Sequence, residues 1–189
     1  MAQQYSTNEF KAGLKVEIDG QPYTIVTNQF VKPGKAQPFN RVRLKHLISG
    51  RVIERTFKSG DKVDEADVVE TKMRLLYRDG DDLVLMDDET FEQSRIPVSA
   101  VGETEQWLKD DIVYDIIIYK GNPINVEPPT FMELEVTETE PGLRGDTSGR
   151  VMKGGRLETG AKVQLPLFIE VGEVVRFDTR TGEYVSRVN

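Results

Sequence analysis

Residues 14–26 read Leu14-Lys15-Val16-Glu17-Ile18-Asp19-Gly20-Gln21-Pro22-Tyr23-Thr24-Ile25-Val26, and this stretch decides the fold class. Apolar and polar residues alternate from Leu14 to Ile18, the period of a half-buried strand. Asp19-Gly20 is a two-residue hairpin signal. Tyr23-Thr24-Ile25-Val26 is the return strand.

The same grammar repeats along the chain. Val42-Arg43-Leu44-Lys45 alternates, with Arg41, Arg43 and Lys45 on one face. Ser49-Gly50 turns the chain into a strand from Val52 to Phe57. Further strands are expected at Val68–Tyr77, Leu83–Met86, Ile112–Tyr119, Phe131–Val136, Ala161–Ile169, Val174–Phe177 and Tyr184–Val188. Turn signals separate them at Asp79-Gly80, Gly121-Asn122, Pro141-Gly142 and Thr181-Gly182. Short helices are expected at Glu103–Leu108 and, as a second candidate, at Asp88–Gln93. Many short strands at regular spacing predict an all-β protein of small barrels rather than a βαβ sheet.

Two boundaries are marked by composition. Asp61–Asp67 carries five charges in seven residues, and Glu127-Pro128-Pro129-Thr130 is a stiff extended joint because proline fixes φ and restricts the residue before it. They divide the 189 residues into modules 1–65, 66–128 and 129–189, each close to the lower size limit for an independent core.

Composition then narrows the chemistry. The chain has no cysteine, which excludes disulfides, thiolate metal sites and Cys nucleophiles together, and its one histidine, His46, leaves little for triads or multi-His metal sites. The N-terminus carries no basic-then-apolar secretory pattern and no apolar run is long enough to span a bilayer, so a cytoplasmic protein free of membrane is expected. No cofactor and no metal are expected. Asp79-Gly80-Asp81-Asp82 with Asp87-Asp88-Glu89 invites a calcium reading, but the EF-hand spacing fails and Leu83–Met86 interrupts it as an apolar strand.

The net charge of -7 conceals a division. Module 1–65 is +4, module 66–128 is -9 and module 129–189 is -2. Within residues 31–58 stand Lys32, Lys35, Arg41, Arg43, Lys45, Arg51, Arg55 and Lys58 against Glu54 alone. Two readings are open: a solvated strand face, or a phosphate-binding surface. In the middle of this run, Lys32-Pro33-Gly34-Lys35-Ala36 joins two strands. Pro33-Gly34 favours a type II turn with Gly34 at positive φ, which sets Lys35 at an exposed tip. Such a lysine is either an ordinary solvated turn residue or a long cation suited to an anionic cleft or to covalent extension. A second Gly-rich loop, Pro141–Gly149, offers backbone N–H groups and hydroxyls to a sugar-phosphate chain, although it lacks the P-loop pattern. His46 shares strand parity with Val42 and Leu44 and is expected to be packed and hydrogen-bonded. Trp107 is expected to anchor the core beneath its short helix.

These pieces together resemble bacterial translation elongation factor P over the whole chain. The resemblance rests on Glu9–Lys15, Phe30-Val31-Lys32-Pro33-Gly34-Lys35, Thr56-Phe57-Lys58, Ala66–Val69, Asp88-Glu89-Thr90-Phe91-Glu92-Gln93, Pro141–Thr147, Val171-Gly172-Glu173 and Thr179–Val188. It implies a KOW/SH3-like first domain and two OB folds in an L-shaped, tRNA-like arrangement. It implies a monomeric elongation factor, not an enzyme, that binds the 70S ribosome between the P and E sites and relieves stalling on consecutive prolines by positioning P-site peptidyl-tRNA. Lys35 matches the tip lysine beside the acceptor end of that tRNA, which lysine-modifying enzymes extend by β-lysylation in many members. Gly145, Asp146 and Thr147 match the loop that approaches the mRNA E-site codon, and Tyr184 and Arg187 match residues beside the anticodon stem. The usual family tip reads Pro-Gly-Lys-Gly-Gln-Ala-Phe; here Ala36 and Pro38 replace Gly and Ala. Arg150–Arg156 also departs from the Gly-rich family sequence, and its long cations are expected to strengthen RNA contact. Two other classes compete: a non-ribosomal binder of single strands, disfavoured by the acidic last two modules and 8% aromatic content, and a hydrolase using the acidic clusters, which lack a paired acid and base.

Overall fold

The computed structural model describes residues 3–141 and 151–189. These form three antiparallel-rich sheets with only three short 3-10 turns, Thr7–Glu9, Val98–Ala100 and Gly102–Trp107. By packing, the chain gathers into two compact units, Met1–Thr71 with Ile116–Asn125, and Lys72–Asp115 with Val126–Asn189.

The first sheet holds β1 (Gln4–Ser6), β2 (Lys15–Ile18), β3 (Gln21–Val31), β4 (Phe39–His46), β5 (Val52–Lys58) and β6 (Lys62–Glu65), in the order β1-β6-β2-β3-β4-β5. Asp19 and Gly20 both have positive φ, 52° and 74°, the two left-handed positions of a type I′ turn whose twist matches the β2–β3 hairpin. Phe10, Val16, Ile18, Ile25, Val42, Leu44 and Val63 form the core, with Phe57 set edge-on to Phe10 at 5.4 Å.

The second sheet holds β7 (Val68–Asp79), β8 (Asp82–Met86), β9 (Gln93–Pro97), β10 (Val113–Tyr119) and β11 (Asn122–Glu127), ordered β11-β10-β7-β8-β9. The third holds β12 (Phe131–Thr139), β13 (Met152–Leu157), β14 (Lys162–Pro166), β15 (Val174–Asp178) and β16 (Glu183–Arg187), ordered β14-β13-β12-β15-β16. Its core of Met132, Leu134, Val136, Leu157, Leu165, Ile169, Val175 and Phe177 also takes in Trp107. β13 passes close to its neighbours at Gly155, where a Cβ would meet the Glu138 carbonyl at 3.0 Å and run into Leu165 Cδ1.

Several sequence expectations are corrected. Within the polar boundary Asp61–Asp67 runs a strand that the sequence reading did not include, β6: Val63 alone points inward, and backbone pairing with β1 and β2 holds a strand that has no alternating pattern. Asp88–Gln93 is a tight turn entering β9, not a helix, because the Asp87 carboxylate accepts the N–H groups of Glu89 and Thr90. The short helix expected at Glu103–Leu108 is present as the 3-10 helix Gly102–Trp107. The strand expected to run to Ile169 stops at Pro166, and Ile169 reaches the core from a turn.

Candidate nucleic-acid interface

The basic residues are organised by one hairpin. β3 and β4 pair from Tyr23↔His46 out to Val31↔Phe39, and residues 32–38 close the far end. Along β4 the burial alternates strictly: Asn40, Val42 and Leu44 are buried while Arg41, Arg43 and Lys45 are exposed. Strand geometry therefore turns the three cations to one side. Across from them on β5 lie Thr56, Glu54 and Val52. Arg41 is 3.6 Å from Glu54, and Arg55 is drawn off to Asp19 at 2.9 Å. Arg43, Lys45, Lys32 and Lys35 make no ion pair among the described residues. Of the eight cations, Arg41 and Arg55 are ion-paired, and Lys32, Lys35, Arg43 and Lys45 remain gathered on the face and tip of one hairpin.

At the tip, Lys32, Gly34, Lys35 and Ala36 are exposed and Pro33 is half-buried. The type II turn expected at Pro33-Gly34 is not formed. Gly34 lies outside the left-handed region, and residues 34–36 bend without a turn hydrogen bond, so Lys35 is displayed by a wider loop.

His46 is half-buried, as its parity predicts. Its Nε2 lies 3.0 Å from Gln21 Oε1, the Ser49 N–H donates to Nδ1 at 2.9 Å, and its ring stands edge-on to Tyr23 at 5.1 Å. All of these contacts fix a turn, and none points it toward a ligand.

The other expected site residues lie in the last module. Gly145, Asp146 and Thr147 fall outside the described residues. Tyr184 is half-buried against Phe177, with ring centroids 6.1 Å apart at 81°, so it presents only part of its surface. Arg187 is exposed but engaged: its guanidinium is 2.7 Å from Glu173 and stacks 4.9 Å from the Phe168 ring centroid. Of the cations expected to strengthen RNA contact, Arg150 lies outside the described residues, and Lys153 does not face outward. It is buried, at 8% exposure, because β13 turns it to the inward side opposite Leu165, and Arg156 is paired with Glu138 at 3.4 Å.

The acidic middle sheet consumes much of its own charge. Arg74 forks onto Asp88 through Nε and Nη2 at 3.0 and 2.8 Å and reaches Asp111 with Nη1. That hydrogen-bonded fork holds the Asp88 carboxyl below the usual carboxylate range. Arg95 takes Asp79 at 2.9 Å and Asp82 at 3.7 Å. No three His, Cys, Asp or Glu side chains converge as a metal-ligand set among the described residues.

The comparisons with known proteins agree in direction. Residues 6–63 match the elongation factor P KOW-like domain, residues 68–126 its OB domain and residues 132–187 its C-terminal domain. The chain belongs to the elongation factor P family. It is 60% identical over 187 residues to elongation factor P 2 of Protochlamydia amoebophila, covering 98% of each chain. It is 58% identical over 185 residues to elongation factor P 2 of Chlamydia caviae, covering 97% of each. Among solved structures it resembles the eukaryotic translation initiation factor 5A from Methanococcus jannaschii, with 25% identity and a TM-score of 0.54 over 67% of this chain and 93% of that one. Membership of the elongation factor P family makes this chain a ribosome-associated translation elongation factor and not an enzyme. Its all-β build of a KOW-like module followed by OB-type modules is that of the family. No helix among the described residues is long and apolar enough to cross a membrane.

Proposed function

We propose that this factor binds between the ribosomal P and E sites and speeds peptide-bond formation on consecutive prolines by holding P-site peptidyl-tRNA in a productive geometry. The observation that carries the proposal is the β3–β4 hairpin, which displays Lys35 at its tip and Arg41, Arg43 and Lys45 along one exposed side. The three side cations suit the tRNA phosphate backbone, and the tip lysine has the reach for its acceptor end. A positioning role fits a chain with no cysteine and a single histidine held in a turn: proline is a constrained secondary amine, and orienting it costs entropy that a bound factor offsets.

On this reading Lys35 accepts a β-lysyl extension from lysine-modifying enzymes, and the Gly145-Asp146-Thr147 loop meets the mRNA E-site codon. Tyr184 and Arg187 lie beside the anticodon stem. The protein works as a monomer in the cytoplasm, with modules 1–65, 66–128 and 129–189 as its functional parts. The three sheets and the three family spans support that division.

The test is reconstituted translation of two reporters that differ only in a run of prolines. Host-purified factor is expected to raise full-length product from the proline reporter alone, and Lys35→Ala to remove that gain. Equal stimulation of both reporters, or full activity of Lys35→Ala, contradicts the proposal.

A further inference from the structure

The inward side of the β3–β4 hairpin changes character on its way to the tip. Near the base it is apolar, with Ile25, Val42 and Leu44 in the core. Where the hairpin leaves that core, the inward positions are Asn28 and Asn40. Asn40 is only 4% exposed, and a buried amide is costly unless its hydrogen bonds are met. Here they are met by one another and by the N-terminal turn. Asn40 Nδ2 donates to Asn28 Oδ1 at 2.9 Å and lies 3.5 Å from the Thr7 carbonyl. Asn28 Nδ2 donates to the Phe10 carbonyl at 3.0 Å.

Thr7 is itself buried and extends the connection. Its hydroxyl accepts the Gly60 N–H at 3.1 Å, and its N–H donates to the Asp61 carbonyl at 3.2 Å. From the same turn the Ser59 N–H donates to the Pro38 carbonyl at 3.1 Å, on the returning arm of the tip loop. Residues 32–37 make no hydrogen bond of their own among the described residues. The direction of Lys35 is therefore set by the two strand ends and by whatever fastens them.

We propose that Asn28 and Asn40 are positioning residues: a cross-strand amide lock that ties the hairpin root to the Thr7–Phe10 segment and so fixes where Lys35 points. Two valines would pack at these inward positions and favour the strand, but they would slide against the turn. Directional hydrogen bonds to the Thr7 and Phe10 carbonyls hold one register. The proposal rests on the tRNA-positioning function above for its consequence in peptide-bond formation, not for its consequence in structure.

The test uses the full-length protein with Asn28→Val and Asn40→Val combined. The double variant removes both ends of the Asn28–Asn40 bond, where Asn40→Ala alone leaves the Asn28 amide oxygen unpaired; the Phe10 carbonyl loses its donor while the Thr7 carbonyl keeps the Phe10 N–H, so the double variant is the one expected to stay folded. Backbone ¹⁵N order parameters of Phe30, Val31, Lys35 and Phe39 are expected to fall relative to wild type while those of Val42 and Leu44 stay unchanged. In single-turnover Pro–Pro bond formation, the maximal rate is expected to fall roughly tenfold to a hundredfold, the cost of a misplaced group. The half-saturating concentration should stay at the wild-type value, because Arg41, Arg43 and Lys45 are untouched. Order parameters unchanged at the tip overturn the lock whatever the kinetics, and so does a wild-type maximal rate from a variant with a loosened tip. If wild type itself gives no acceleration, the tRNA-positioning function fails, and the order parameters still decide the lock. A simple loss of stability would lower the melting temperature and spread the loss of order to Val42 and Leu44, which also counts against it.

Discussion

The indole of Trp107 lies 6.3 Å from the ring of Phe177, centroid to centroid, inside the core of the third sheet. The expectation of a Trp107 core anchor was right about burial and incomplete about place. Trp107 ends the Gly102–Trp107 turn, whose sequence neighbours belong to the second sheet's run, yet its ring packs with Met132, Leu134 and Phe177. Its carbonyl accepts the Tyr114 hydroxyl at 2.6 Å, which fixes the turn from behind.

Trp107→Ala is accordingly expected to cost about 3–5 kcal/mol, the usual range for emptying an aromatic site in a core. Urea titration followed by far-ultraviolet circular dichroism measures it. Trp107→Phe should cost less than half as much, since part of the cavity stays filled. A cost below about 1 kcal/mol for the alanine variant would mean that the ring is peripheral to the third sheet.

Tyr114 gives a pH signature. Its side chain is buried, and burial pushes the phenol up to about 12, against a backbone hydrogen bond from Lys109 that acts in the opposite sense. The folded value is above the unfolded one, so the unfolded chain releases this proton first. The stability it confers is complete below about pH 10 and is lost as pH rises toward 12. Two units correspond to roughly 2–3 kcal/mol. Thermal melts of wild type and Tyr114→Phe between pH 9 and 12 should converge as pH rises, because the phenylalanine variant lacks this titration. Parallel curves would contradict the assignment.

The charge division predicts where affinity resides. Arg41→Glu with Arg43→Glu should weaken ribosome binding and flatten its salt dependence by about one unit of slope for each phosphate no longer neutralised. Both side chains are on the exposed parity of β4, so the fold should hold. The fitting control is Asp81→Lys with Glu89→Lys, two exposed carboxylates without ion pairs among the described residues; Asp82 is unsuitable because it helps hold Arg95. Binding titrated at several salt concentrations separates the two. An equal loss from the control would make the acidic sheet the docking surface.

What could be read in advance follows from where the information sits. The alternation at Val42-Arg43-Leu44-Lys45 is local, so the cationic side of β4 was legible residue by residue. The polar stretch Asp61–Asp67 and the proline joint Glu127–Thr130 marked three modules, and the family resemblance supplied their fold types. Strand β6 was not legible, because three of its four residues are charged and its pairing partners β1 and β2 lie far off in sequence. The real worth of the cations was hidden for the same reason: Arg55 is taken by Asp19, 36 residues away, and Arg187 by Glu173. Nothing in the sequence marks Asn28 and Asn40, and only the register that sets them diagonally on the buried side reveals their pairing.

The central claim is that the β3–β4 hairpin delivers Lys35 to the acceptor end of P-site tRNA. A photoreactive, lysine-length side chain placed at position 35 measures this directly on ribosomes stalled at consecutive prolines. The account expects cross-links to the terminal nucleotides of the P-site tRNA, lost when the Arg41→Glu and Arg43→Glu changes are added and restored at higher factor concentration. Cross-links confined to ribosomal RNA or protein away from that tRNA end, with binding intact, would contradict it.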